Sequence, residues 1–268
     1  AGLASGTCQV AAEYPWDTLK VRLQSKQFHY RSAFHCLREV LGKEGPAALY
    51  QGVLPRLATY GLVKSSLFSL FEAASSATGS VFLGGGVAGA LNVAISCPID
   101  VLKSRMQCHV RGSSRAAAAA AEGARVVRGA GAGGSTNAIT AAVDLFANHG
   151  LRGLYWGVAA HACRDALGYA ILYSVFQSLK DNTDLPKPLC GGLSGMAFYL
   201  STLPIDRVKT IMQTQDLHRP IYTDPLLCLR DVLRTEGVLG LYVGCSPTLA
   251  KTFVGQGVAL VVYDALRL

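Results

Sequence analysis

Three times in this 268-residue chain a proline is followed by aspartate two positions on, lysine five on and glutamine nine on: Pro15, Asp17, Lys20 and Gln24; Pro98, Asp100, Lys103 and Gln107; Pro204, Asp206, Lys209 and Gln213. Aspartate and lysine three positions apart share a helix face, and proline inside a helix removes an amide donor and kinks it. Three such helices brought together at one end present a ring of alternating charge, whose chemistry is reversible ion pairing. A second set of charges, Glu13, Lys64, Arg164, Asp165 and Lys251, lies in otherwise apolar stretches, where a charge is costly and ordinarily faces a water-filled path. No catalytic residue, cofactor or metal is expected. The six histidines have no metal spacing, and His161 reads as a pore-wall or packing residue. The eight cysteines form neither Cys-x-x-Cys pairs nor a dense framework, and Gly84-Gly85-Gly86 lacks the Gly-Lys-Ser/Thr of a phosphate loop.

The elements that position these charges come in triplicate. A second marker follows each signature, as Leu49-Tyr50-Gln51-Gly52, Leu154-Tyr155-Trp156-Gly157 and Leu241-Tyr242-Val243-Gly244. Two markers in fixed order, three times, define an internal repeat, divided at 1–76, 77–183 and 184–268. Proline and marker glycine are separated by 37, 59 and 40 residues. The surplus of the middle repeat is the Ala/Gly-rich run 111–134, which reads as a loop with no core of its own. An apolar stretch precedes each proline and another follows each marker glycine, giving six candidate membrane spans. Gly2/Gly6, Gly85/Gly89 and Gly191/Gly195 recur at the same place in the three odd-numbered spans and would permit close helix approach.

Composition agrees: 50% of residues are hydrophobic and 16% charged, with a mean hydropathy of +0.30, which favours a membrane protein. The net charge of +8 is spread along the chain, without the basic, aromatic-interleaved stripe of a nucleic-acid binder. The chain begins at Ala1 rather than Met, and a missing N-terminal stretch is expected.

The signature Pro-x-Asp-x-x-Lys, present in every repeat, resembles that of the mitochondrial carrier family, and the resemblance covers essentially the whole chain. It implies an all-α membrane protein: six transmembrane helices as three pseudo-symmetric two-helix repeats around a central cavity, with short amphipathic matrix helices near 30–41, 137–147 and 224–233. It implies alternating access in the mitochondrial inner membrane. A matrix gate would pair Asp17 with Lys103, Asp100 with Lys209 and Asp206 with Lys20, with Gln24, Gln107 and Gln213 as braces. The family's second motif, on the even helices, leaves Glu72 facing Lys180, while Asp264 faces Ser75 and Arg267 faces Gln177. The cytosolic gate is therefore expected to be loose and the cytosol-open state preferred. Cardiolipin at the matrix-helix edges (Glu44-Gly45, Glu236-Gly237) and a monomeric state follow from the same resemblance.

A gate should keep the threefold pattern, whereas an asymmetric solute needs positions that break it. One turn before the signature aspartates stand Glu13, Ser96 and Thr202. On the even helices, seven residues past the marker glycine, stand Thr59, Arg164 and Lys251; at eight, Tyr60, Asp165 and Thr252; at twelve, Lys64, Tyr169 and Gln256. The predicted solute-binding set is Arg164, Asp165, Lys251, Glu13, Lys64 and Thr59. Arg164-Asp165 resembles the contact point of amino-acid and carnitine carriers, and Glu13-Tyr14-Pro15-Trp16-Asp17-Thr18 resembles the fungal ornithine carriers, although Val63 stands where those have an acid. By charge, Arg164 and Lys251 suit a carboxylate, while Asp165 and Glu13 suit an ammonium. The rivals are a dicarboxylate, oxo-acid or S-adenosylmethionine carrier and, from another class, a non-transporting scaffold.

Overall fold

The computed structural model describes the backbone of residues 2–28, 30–108, 138–217 and 220–265. The Ala/Gly-rich run 111–134 lies outside these. Among the described residues there are nine α-helices and no strand: α1 (Gly2–Gln24), α2 (Ala33–Lys43), α3 (Val53–Thr78), α4 (Val81–Cys108), α5 (Ala138–Leu154), α6 (Val158–Asn182), α7 (Lys187–Thr214), α8 (Pro225–Gly240) and α9 (Cys245–Ala265), with a 3-10 turn at Pro46–Tyr50. The six long helices form a closed ring in chain order, α1-α3-α4-α6-α7-α9 and back to α1. Pro15, Pro98 and Pro204 lie inside α1, α4 and α7, each of which accommodates its proline without ending.

Each repeat adds a short helix at the signature end of the ring, close to the expected positions. Ser32 caps α2 by accepting from the His35 amide, and Asp224 caps α8 by accepting from the Leu226 amide. Each short helix buries one apolar stripe against a long one: Cys36 and Val40 meet Leu19, Leu145 meets Val101, and Cys228 and Val232 meet Val208 and Ile211. Burial pushes the Cys36 thiol up to about 12 and that of Cys228 to about 11, so both behave as small apolar residues.

Marker glycines Gly52, Gly157 and Gly244 adopt φ of 80°, 77° and 88°, a left-handed turn that glycine enters without steric cost. Their missing side chains also make room. A Cβ on Gly244 would sit 3.1 Å from Gln24 Cγ, and one on Gly157 would sit 3.4 Å from Gln213 Cγ.

The ring is polar inside and apolar outside. Leu62, Phe68, Leu83, Leu91, Leu193 and Phe253 are exposed on the long helices, whereas Lys20, Lys103, Asp165, Asp206, Lys209 and Lys251 are buried. The long helices have 21 to 28 residues, against roughly 20 needed to cross a bilayer core. By apolar composition as well as length, one of them, α4, qualifies as a membrane span among the described residues.

Candidate functional site

The signature charges close the ring at one end. Lys103 lies 2.5 Å from Asp17, Lys20 2.5 Å from Asp206, and Lys209 2.7 Å from Asp100, each pair joining two different repeats. Lys103 Nζ also stands 5.3 Å from the Tyr14 ring centroid, and Lys20 5.3 Å from that of Tyr199. These pairs form a floor across the ring, stabilised by mutual neutralisation where little water reaches.

The glutamines do something other than brace those charges. Gln24 accepts from the Thr210 hydroxyl at 3.0 Å and donates to the Val243 carbonyl at 3.2 Å. Gln107 donates to the Thr18 hydroxyl at 3.2 Å, and the Gln213 amide has no hydrogen-bond partner among the described residues. The cause is register: four residues past the lysine, the glutamine sits a full turn beyond the ion pair, level with the marker-glycine turns.

Arginines anchor the floor from below. Arg22 grips Glu44 bidentately at 2.5 and 2.9 Å, and Arg207 reaches Glu236 at 2.7 Å and the Leu23 carbonyl at 3.0 Å. In the middle repeat His149 stands at the position of the acid, and Arg105 donates to the Gln215 carbonyl instead. Between repeats 1 and 3, Lys26 binds Asp231 at 2.7 Å and the Tyr222 hydroxyl at 2.9 Å. Although partial burial works against its charge, these bonds raise the Lys26 pKa, and the bond from Lys26 leads in lowering that of Asp231.

Above the floor lies a cavity in two overlapping lobes. The smaller, of about 400 Å³, is lined by Arg56, Tyr60, Lys64, Asn92, Ser96, Asp100, Arg164, Asp165 and Tyr169. The larger, of about 880 Å³, shares Arg56, Tyr60, Lys64 and Tyr169 and adds Gln9, Glu13, Asp17, Phe198, Tyr199, Lys251 and Thr252.

Five of the six predicted solute residues line it. Thr59 does not: its hydroxyl donates to the Pro55 carbonyl one turn back at 2.6 Å, a local bond that competes with any outward role. Thr202 likewise bonds the Phe198 carbonyl on its own helix.

Of the five, three are already engaged. Arg164 meets Asp165 at 2.5 Å and Asp206 at 3.2 Å, with its guanidinium 4.7 Å from the Phe198 centroid. Lys251 pairs with Asp17 at 2.7 Å. In this conformation Arg164, Asp165 and Lys251 are neutralised by charges of opposite sign, on the same helix for Arg164 and Asp165 and on a neighbouring helix for Arg164 with Asp206 and Lys251 with Asp17. Lys64 and Glu13 differ. Among the described residues no carboxylate forms an ion pair with Lys64, and Glu13 takes one hydrogen bond, from Gln9 at 2.8 Å, and no ion pair.

Arg56 escaped the sequence reading as a cavity residue, while His161, read there as a pore-wall or packing residue, lies buried between cavity and floor. Arg56 lines both lobes and lies 3.6 Å from Asp100, and His161 Nε2 faces Asp100 at 3.4 Å and Asp165 at 3.3 Å. Both stand four residues past a marker glycine, one turn nearer the floor than the positions counted. Beginning the count at four would have found Arg56.

The family model described as mitochondrial carrier protein matches three consecutive stretches, residues 1–80, 74–187 and 184–268. The chain belongs to the mitochondrial carrier family. Among curated relatives of this carrier, the mitochondrial carnitine/acylcarnitine carrier-like protein of Arabidopsis thaliana is 28% identical over 99% of the chain and 95% of its own length. The mitochondrial basic amino acids transporter of Rattus norvegicus is 28% identical over 94% of the chain and 83% of its own length. The mitochondrial arginine transporter BAC1 of Arabidopsis thaliana is 25% identical, covering 98% and 90%.

Among the described residues, the opposite end of the carrier ring is not tied as the signature end is. Glu72 and Lys180 are exposed and make no ion pair with each other. Gln177 donates both of its amide hydrogen bonds to Asp181 on its own helix, at 2.8 and 3.0 Å, and Phe71 stacks on Tyr173 at 3.8 Å. The side chains of Asp264 and Arg267 lie outside the described residues.

Proposed function

We propose that this carrier spans the mitochondrial inner membrane with six helices and exchanges a small zwitterionic metabolite, of the amino-acid or carnitine type, by alternating access. It is a transporter, not an enzyme. One observation carries the reading: among the described charges of the cavity, the two without an ion pair are of opposite sign, Lys64 on α3 and Glu13 on α1. A carboxylate facing Lys64 and Arg56 and an ammonium facing Glu13 would meet charges that have weak internal competition, whereas Arg164 and Lys251 must first release Asp165 and Asp17. The relatives named for carnitine, basic amino acids and arginine favour the same solute chemistry.

The six-span assignment rests on the inverted polarity of the ring. An apolar exterior and a charged interior are the arrangement lipid demands around an aqueous path. In this assignment the floor of ion pairs is the closed matrix gate and the unpaired end is open to the cytosol, with cardiolipin on the matrix-helix edges and the carrier acting as a monomer. A dicarboxylate is the second reading. The cations of cavity and floor (Lys20, Arg56, Lys64, Lys103, Arg164, Lys209, Lys251) outnumber the carboxylates (Glu13, Asp17, Asp100, Asp165, Asp206) by two.

Reconstituted carrier in liposomes loaded with ornithine, carnitine, S-adenosylmethionine or malate decides between them. Exchange of ornithine or carnitine, lost in Glu13→Gln and Lys64→Gln while both variants still insert, is the expected result. Malate exchange without amino-acid or carnitine exchange would overturn it, and no exchange of any solute would favour a scaffold.

A further inference from the structure

We propose that His161 is a positioning residue that couples arrival of the solute to release of the Asp100–Lys209 pair in the floor, an inference that rests on the transport reading above. Its imidazole is 1% exposed, on α6 one turn below Arg164 and Asp165. Nε2 stands 3.3 Å from Asp165 Oδ2 and 3.4 Å from Asp100 Oδ2, so one N–H is offered to two carboxylates, one in the solute cavity and one in the floor. Nδ1 has no hydrogen-bond partner among the described residues, so the ring is not held in place from its other side, as a space-filling histidine commonly is.

The other two floor aspartates are clasped by permanent cations of the cavity, Asp17 by Lys251 at 2.7 Å and Asp206 by Arg164 at 3.2 Å. Asp100 has Lys209 at 2.7 Å and Arg56 at 3.6 Å, and shares His161 with Asp165. The decisive detail is the atom: Lys209 and His161 both approach Oδ2 of Asp100. One N–H points fully at one acceptor at a time. Once a solute ammonium first met by Glu13 moves down to Asp165 and takes the place of Arg164 there, the His161 donor swings to Asp100 Oδ2. That oxygen accepts from both donors, but the added N–H draws off part of the charge that holds Lys209, weakening one of the three pairs that hold the floor together. His161 is thus a two-position element biased by both sites, which is the physical content of coupling.

Two variants and two readouts test this. His161→Gln keeps an N–H near the Nε2 position and is expected to exchange ornithine or carnitine within about threefold of the parent. His161→Asn is too short to reach both carboxylates and is expected to lower the maximal exchange rate about tenfold or more with KM within about twofold, the pattern of a defect in a step after binding. Equal rates for His161→Asn and the parent, equal losses in both variants, or a loss confined to KM would overturn the proposal. A thermal-unfolding cycle between His161→Asn and Lys209→Gln reads the shared carboxylate without any transport assay. The two shifts should be non-additive because both groups use one oxygen, and additivity would overturn the proposal. Absence of exchange by the parent would sink the transport reading and leave that cycle to decide the coupling.

Discussion

Repeats 2 and 3 each place two glycines four residues apart on their odd helix, yet the resulting seams are unlike. Between α4 and α6 the helices touch backbone to backbone: a Cβ on Gly89 would lie 2.4 Å from the Asp165 carbonyl oxygen, and one on Gly85 would lie 2.6 Å from that of Tyr169. Between α7 and α9 contact is far thinner. Gly191 and Gly195 line the cavity, and a Cβ on Gly195 would meet Thr252 at an ordinary 3.6 Å. In repeat 1, Gly6 is tight only against the end of the Tyr60 side chain. One sequence device therefore does three jobs: a rigid seam in the middle repeat, a soft one in the first, and open cavity wall in the third. The rigid seam carries Arg164-Asp165 on α6, where small displacements matter most.

The largest effect expected is at the rigid seam. Gly89→Val forces apart two backbones that have no side chain to yield, and should cost about 3 kcal/mol or more, abolishing exchange along with a stable thermal transition. Full stability in that variant would dissolve the contrast between seams. Smaller is Gly6→Ala, expected to cost about 1 kcal/mol because a tyrosine can turn aside. The displaced Tyr60 enters the cavity, so a raised KM for exchange should accompany the modest loss of thermal stability. Smallest is Gly195→Ala, which meets no clash and should leave stability unchanged or raise it by about 0.5 kcal/mol through improved helix propensity. A large loss there, measured by the same thermal assay, would mean that the third seam closes tightly in some other state of the cycle.

The difference between seams was not legible in the sequence, because identical glycine spacing gives no sign of what faces it. The repeat itself was legible: proline, aspartate and lysine at fixed offsets determine kink, face and charge together. Which aspartate meets which lysine came only through family resemblance, since pairing across helices depends on the order of the ring. Breaks in symmetry located Glu13, Lys64, Arg164, Asp165 and Lys251 on the cavity wall, but not that three of them neutralise one another. Thr59 lines neither lobe, and its spacing from the marker glycine gave no sign of that, since it fixes a helix face only to within a residue or so. Arg56 was missed as a cavity contact because the projection started one turn too far from the marker glycine. Among the described residues, five of the long helices fall below a simple hydropathy threshold, and the charges that serve the cavity sit on their inner faces.

The close packing of α9 on α1 has a consequence for how the carrier is made. The first long helix finds its most extensive neighbour in the last, more than two hundred residues later in the chain. Until synthesis reaches α9, α1 carries Asp17 without Lys251 and, until α7 is made, Lys20 without Asp206. Such long-range closure is slow and leaves exposed polar groups in the unfinished chain. Biogenesis of this ring therefore depends on something holding α1 until the final helix arrives, and a chain stopped before residue 245 would be a substrate for quality control rather than a partial carrier.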